Sequence, residues 1–333
     1  MRNSSVFDSV EEERRNARIP HVKEDRRNES RRDKFCTLLC RNIIDCVYGE
    51  IFYGKQLCRF LDCVMEEHIM RCDYHVHSYY SDDSNTPMER QVKRACELGL
   101  DEICFTDHVD YGVRYDDIDY PRYFAEITRL REKYAGKIIV RSGLECGVQV
   151  HTIPQYESLY ETYSNDIDFI LLSVHQVDNL CFWNQEYQSG KSQDEYNRGY
   201  YEELLRVVQK YKDYSVLAHL DLIVRYDMAG AYPFSKVKDI IAEILTTAIN
   251  NGKGIEMNMA SWRYGLDDTQ PSREILTLYH DLGGEILTLG SDSHSPEFVH
   301  DHMSEARDIL RSIGFRRFCT FEKMKPVYHE LVP

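Results

Sequence analysis

The sequence predicts an α/β protein whose largely parallel sheet closes into a distorted barrel. From Met70 onward, seven short apolar runs of strand character, at about 71–76, 102–106, 138–144, 167–174, 214–218, 254–258 and 285–290, alternate with helix-like stretches. Every run ends at a polar residue of interest, counting Asn258 after the sixth, and most of these are histidines or acids. An open doubly wound sheet gathers such residues from few strands at one switch point. Dispersal over all the strand ends suits the mouth of a closed barrel.

The chain begins with a segment of another kind. Residues 9–34 are dominated by Glu, Arg, Asn and Asp, a composition that buries too little surface to offset its ordering entropy. From 36 to 69, Leu38, Leu39, Ile43, Ile44, Val47, Ile51 and Phe52 suit one or two amphipathic helices, and Cys36, Cys40, Cys46, Cys58 and Cys63 match no zinc spacing. Residues 1–69 are expected to be a charged, poorly ordered N-terminal extension, or the product of a start placed too early, and residues 70–333 the barrel domain. The first strand then carries Cys72 to His75. Met88 to Leu98 follows Pro87 with Val92, Ala95 and Leu98 at helical spacing, and 120–134, 194–212, 235–251 and 272–282 read the same way. Gly99, Gly252 and Gly283 stand behind three of these helices as stop signals.

Bulk properties narrow the function classes. A hydrophobic content of 42% in 333 residues supports a sizeable core. The formal charge of −15 argues against a nucleic-acid groove as the main surface. No apolar run approaches the ~18–20 residues of a membrane span. The polar N-terminus does not read as a secretory signal. Eleven cysteines without a CxxC pair, with Cys104 and Cys146 placed as small apolar residues, point to a reducing cytoplasm rather than a disulfide scaffold. Nothing in the sequence sets an oligomeric state.

Six histidines and three acids define the candidate site. They lie in His75-Val76-His77, Asp107-His108, Gly143-Leu144-Glu145, Ser173-Val174-His175, Ala218-His219 and Asp292-Ser293-His294. Imidazole together with carboxylate is the ligand set of Zn, Fe or Mn. His75 and His77 share one side of an extended segment because side chains alternate with period two. Glu145 follows a strand and the Ser142-Gly143 kink, where a buried carboxylate is costly unless it binds a cation. Each motif alone is weak; their conjunction at successive strand ends is strong. His21, His68, His151, His280, His300, His302 and His329 read as ordinary histidines.

The ordered set HVHS…SDDS, FTDH, GLE, SVH, AHLDLI and GSDSH resembles the polymerase-and-histidinol-phosphatase family of metal-dependent phosphoesterases, from Met70 to about Pro333, roughly four-fifths of the chain. Within that family it is similar to the monofunctional phosphatases that act on L-histidinol phosphate. The resemblance implies a distorted (β/α)7 TIM-like barrel holding three divalent metal ions at the C-terminal ends of its strands. His75, His77 and Asp292 would bind a first metal. Glu145 would bridge it to a second, also held by His175 and His219. Asp83, six residues after His77, would bind a third with His108 and His294, although some members carry histidine at that position. Glu145, Asp292 and Asp107 are the catalytic candidates, Asp107 from an outer layer that steadies a ligand imidazole.

Close-set divalent ions acidify a bridging water and neutralise phosphate oxygens, which suits hydroxide attack on phosphorus without a protein nucleophile. Neither a CxxxxxR nor a GxxxxGK[ST] loop is present. Guanidinium forks match phosphate geometry, so Arg225 and Arg263 are the substrate-binding candidates, and the resemblance places arginines of these two segments on the phosphate. The acids Asp110, Asp116, Asp117 and Asp119 read either as a solvated loop or as a receiver for the substrate amine. The expected partner is a small phosphomonoester. Other phosphomonoesters are the alternative: a nucleotide, a sugar phosphate or a phosphotyrosine. The 24 tyrosines are dispersed and form no acidic tail of the kind that tyrosine-phosphatase relatives act on. A silent barrel would have lost ligand positions, and here all are filled.

Overall fold

The computed structural model describes residues 69–112 and 118–331. Its strands are β1 (Cys72–Val76), β2 (Glu102–Phe105), the two-residue β3 (His108–Val109), β4 (Ile139–Gly147), β5 (Phe169–Ser173), a minimal hairpin of β6 (Gln176–Val177) and β7 (Leu180–Cys181), β8 (Val216–Leu217), β9 (Gly254–Asn258) and β10 (Leu287–Gly290). Seven of them pair in parallel in the order β1-β2-β4-β5-β8-β9-β10, and β3 adds to β4. Beyond β10 the chain returns to β1: His77 N–H bonds the Ser293 carbonyl at 2.8 Å and Ser293 N–H the His75 carbonyl at 3.2 Å. The sheet is thus a nearly closed barrel of seven strands, the distorted (β/α)7 form expected. Strands such as β1, β5 and β9 are buried throughout, because helices cover one face and the barrel interior the other.

The helices are α1 (Met88–Glu97), α2 (Tyr120–Lys133), α3 (Ile153–Tyr163), α4 (Gln193–Lys210), α5 (Lys238–Asn250), α6 (Arg273–Asp281) and α7 (Met303–Ile313). Local chemistry starts several of them. Asp119 accepts the Arg122 N–H at 3.1 Å ahead of α2, and Ser192 with Glu195 forms a reciprocal capping box on α4. The predicted helices agree with α1, α2, α4, α5 and α6 to within a few residues, and the seven predicted strands with the barrel strands.

The structure adds three elements to that reading. In α3 the buried positions Ile153, Tyr156 and Leu159 include a tyrosine, and further tyrosines flank them, which blurs the apolar stripe. In α7 only Met303, Ala306 and Leu310 are buried. The C-terminal antiparallel hairpin of β11 (Arg317–Glu322) and β12 (Lys325–Glu330) has a mostly exposed second strand. This hairpin crosses the N-terminal ends of β5 and β8, where Met324 N–H bonds the Asp168 carbonyl at 2.8 Å and Ser215 Oγ donates to Met324 Sδ at 3.6 Å. Phe321 and Tyr74 each lie 5.0 Å from the Phe169 ring and fill that end of the barrel, leaving the opposite end for the site.

Glu67–Pro333 forms one compact unit. The helices expected between 36 and 69, His21, His68, Asp116 and Asp117 lie outside the described residues. Cys104 and Cys146 are buried as expected. Among the described residues no helix is long and apolar enough to cross a membrane.

Candidate metal centre

Glu145 is the hub of the barrel mouth. It lies inside β4, not after it, because the strand runs unbroken through Ser142 and Gly143 to Gly147. Its Oε2 is 2.9 Å from His75 Nε2, 3.4 Å from His77 Nε2 and 3.2 Å from His108 Nδ1. Its Oε1 is 3.1 Å from His175 Nε2 and 2.8 Å from His219 Nε2. Asp292 Oδ1 lies 3.6 Å from His75 Nε2 and 3.4 Å from His77 Nε2. Asp83 Oδ2 lies 3.1 Å from His294 Nε2 and 3.4 Å from His108 Nε2. The nine donors anticipated from the sequence thus meet at one barrel mouth, with Glu145 within 3.4 Å of five of their imidazoles.

A second layer aims these imidazoles. Asp110 Oδ1 lies 2.9 Å from His175 Nδ1, and Glu256 Oε1 lies 2.6 Å from His75 Nδ1. Asp107 acts through serines: it accepts the Ser78 N–H at 2.6 Å and the Ser81 hydroxyl at 2.8 Å, and Ser81 Oγ sits 3.0 Å from His77 Nδ1. Outer partners of this kind fix the tautomer and orientation of a metal-binding histidine. Asp110 needs Gly147 opposite it, since a Cβ there would fall 1.7 Å from the Asp110 carboxylate.

Burial alone would raise the Glu145 carboxyl, but His75, His108 and His175 outweigh it and hold the group well below the usual carboxylate range. Burial likewise opposes ionisation of Asp292, yet His75 and Arg225 keep it well below that range. The imidazoles show the converse. Burial would lower them, and the carboxylates prevail: Glu256 and Glu145 raise His75, Asp83 and Glu145 raise His108, and Asp110 and Glu145 raise His175 to about 9. So much negative charge out of water calls for cations. His77 Nε2 is buried without a hydrogen-bond partner, and donor atoms in each of the groups His75/His77/Asp292, His75/Glu145/His219, His77/His108/His294 and His108/Asp110/His175 lie within 4.8 Å of one another. The donor set therefore fits divalent metal ions. His219 and Asp292 also adopt left-handed backbone, with φ of 22° and 54°, conformations that cost on the order of 1 kcal/mol and cluster at functional sites.

Arg225 borders the donors. It rises from the 3-10 turn Leu222–Tyr226, reaches Asp292 Oδ2 at 3.1 Å and Asn258 Oδ1 at 3.2 Å, bonds Gln270 through Nε, and stacks 4.3 Å over the Tyr264 ring. Arg263 Nη2 is engaged with the main chain of the same turn, at 2.6 Å from the Ser291 carbonyl and 2.8 Å from that of Asp292. Its Nη1 faces the Asp301 carboxylate at 3.6 Å.

Sequence reasoning missed Glu256 and misplaced Asp110. Asp110 is a buried partner of His175, not a solvated loop acid, and Asp119 caps α2. A signal for Glu256 existed: an acid in the middle of Gly254-Ile255-Glu256-Met257-Asn258, a wholly buried strand, demands a partner. His151 bonds Asn179 Oδ1 at 3.0 Å on the surface.

A parallel α/β barrel with such a mouth defines a metal-dependent enzyme of the kind that hydrolyses phosphoesters. The model of the PHP domain matches residues 73–260. The chain belongs to the PHP domain family. It is 32% identical over 267 residues to a histidinol-phosphatase of Lactococcus lactis subsp. lactis, covering 77% of this chain and 96% of that protein. A probable histidinol-phosphatase of Thermotoga maritima is 28% identical over 246 residues, covering 73% of this chain and 92% of that one. The crystal structure of histidinol phosphate phosphatase from Lactococcus lactis subsp. lactis, complexed with Zn, L-histidinol and phosphate, superposes with a TM-score of 0.70 at 30% identity, over 78% of this chain and 99% of that one. The putative histidinol phosphatase of Listeria monocytogenes, 19% identical with a TM-score of 0.60 over 71% of this chain and 99% of that one, shares the fold.

Proposed function

We propose that this chain is a metal-dependent histidinol-phosphatase, hydrolysing L-histidinol phosphate to L-histidinol and phosphate in L-histidine biosynthesis. The observation that carries the reading is the convergence of five imidazoles on Glu145, with a buried guanidinium beside them, in a chain 32% identical to the Lactococcus enzyme. Three ions are assigned: one to His75, His77, Asp292 and Glu145, a second to Glu145, His175 and His219, and a third to Asp83, His108 and His294. Zn, Fe and Mn all suit these nitrogen and oxygen donors. We place the enzyme in the cytoplasm, where reducing conditions suit its cysteines.

Divalent ions held there supply Lewis acidity and offset the charge of the phosphoryl group. The protein's own groups do the rest. The Arg225 fork, fixed by Asn258, Gln270 and the Tyr264 ring, presents a planar cation to the phosphate oxygens. Arg263 anchors the Ser291 and Asp292 carbonyls, pairs with Asp301 through Nη1 at 3.6 Å, and is the second phosphate-binding candidate. Asp292 is held ionised between His75 and Arg225, and Asp107 keeps His77 in place through Ser81.

The test is a panel of phosphomonoesters assayed with Mn, Zn and Fe in turn. Histidinol phosphate should be turned over well ahead of aryl, nucleotide and sugar phosphates. Equal rates on an aryl phosphate would defeat the assignment.

A further inference from the structure

Glu256 stands in the middle of β9, fully buried, and faces donors on every side. Its Oε1 lies 2.6 Å from His75 Nδ1, while its Oε2 accepts the His219 backbone N–H at 3.1 Å and the Asn258 Nδ2 at 3.3 Å. We propose that Glu256 is a positioning residue that sets two metal subsites at once, the tautomer and aim of His75 in the first and the main chain of His219 in the second. The proposal rests on His75 and His219 being ligands.

With its Nδ1–H donated to Glu256, His75 has its free lone pair on Nε2, the nitrogen that faces Glu145 and Asp292. His219 takes its left-handed backbone conformation with its N–H held by the other carboxylate oxygen, and its Nε2 then reaches Glu145 Oε1. One side chain thereby ties together ligands contributed by β1 and by the end of β8. Only a carboxylate can do this, because it offers acceptors alone. Asn258 cannot turn its carbonyl inward to help, since that oxygen already accepts from Arg225 Nη2 at 3.2 Å and the Ala260 N–H at 2.9 Å. A glutamine at 256 must point its NH2 at one partner or the other. Toward His75 it moves the ring proton to Nε2 and removes the ligating lone pair. Toward His219 it sets donor against donor. The packing is built around the pair as well: a Cβ on Gly290 would fall 2.2 Å from Glu256 Oε1 and 2.4 Å from His75 Cβ.

The experiment is metal binding without substrate. Wild type, Glu256→Gln, Gly290→Ala, Asp110→Asn and His75→Ala are stripped, titrated with Zn against a competing chelator, and checked for fold by circular dichroism. Glu256→Gln should weaken two of the bound ions by about 10–100-fold. Gly290→Ala should do the same with the carboxylate still present. Asp110→Asn, which faces His175 at 2.9 Å and His108 at 4.0 Å, should leave the ion at His75 and His77 at wild-type affinity. Wild-type affinity in both Glu256→Gln and Gly290→Ala, or the loss of a single ion in Glu256→Gln, overturns the proposal provided that His75→Ala loses metal. Full metal binding by His75→Ala would instead overturn the ligand assignment beneath it.

Discussion

The Arg225 guanidinium lies 3.1 Å from the Asp292 carboxylate, and the two side chains are only 4% and 5% exposed. A pair so completely out of water has two consequences that separate by substitution. Arg225→Met leaves Asp292 short of a buried counter-charge and should cost roughly 3 kcal/mol of stability. Arg225→Lys keeps the charge but loses the fork that meets Asn258, Gln270 and the phosphate. Melting should therefore suffer mainly in the methionine variant. kcat/KM on histidinol phosphate should fall by about 100-fold or more in both.

Removing the hub removes two of the proposed sites together. Glu145→Ala should abolish turnover and lower the bound metal by more than one ion per chain, measured by elemental analysis after gel filtration. Retained activity with full metal content would refute the bridging role.

Metal removal should be visible in stability as well as in rate. The ions bind only the folded arrangement of donors, so each contributes about 2.7 kcal/mol when free metal stands a hundredfold above its Kd. Dialysis against a chelator should lower Tm and stop hydrolysis, and one of Zn, Mn or Fe should restore both. A Tm indifferent to chelation would contradict the assigned sites.

His300 provides a pH dependence away from the donors. Burial, reinforced by Arg71 and Arg307, lowers its imidazole to about 4, while its Nδ1–H meets the Cys72 carbonyl at 3.1 Å. As pH falls, the unfolded chain takes up this proton near pH 6.5 and the folded chain only near 4. The contribution to stability is thus present above about pH 6.5 and is lost between there and 4. After discounting for partial exposure it amounts to about 1–2 kcal/mol. His300→Asn should flatten that part of the stability–pH curve relative to wild type, both measured in chelator.

A chain beginning at Met70 should remain folded and active. Among the described residues, Met70 offers its carbonyl to Arg307, and Cys72 opens β1. Turnover and melting of the shortened chain, compared with the full chain, check this. A shortened chain that fails to fold would place part of residues 1–69 in the domain.

Much of the fold was legible because period-two and helical spacing are local properties. β1, β5, β9 and β10 and helices α1, α2, α4, α5 and α6 carry apolar patterns that need no knowledge of their neighbours. α3 and the β11–β12 hairpin were not, since tyrosines replace aliphatics on the buried face of one and the other packs through Phe321 against Tyr74 and Phe169 far along the chain.

The sequence by itself determined which residues stand in or just beyond the strands at the barrel mouth and in what order: His75 and His77, Asp107 and His108, Glu145, His175, His219, Asp292 and His294. Side-chain alternation and the cost of an acid in an apolar run are written within a few residues of each. The tertiary structure decided which donors share a centre and what aims them. Glu256 reaches His75 across 181 residues and Asp110 reaches His175 across 65. Such contacts depend on strand order and register around a closed barrel, which no local pattern encodes.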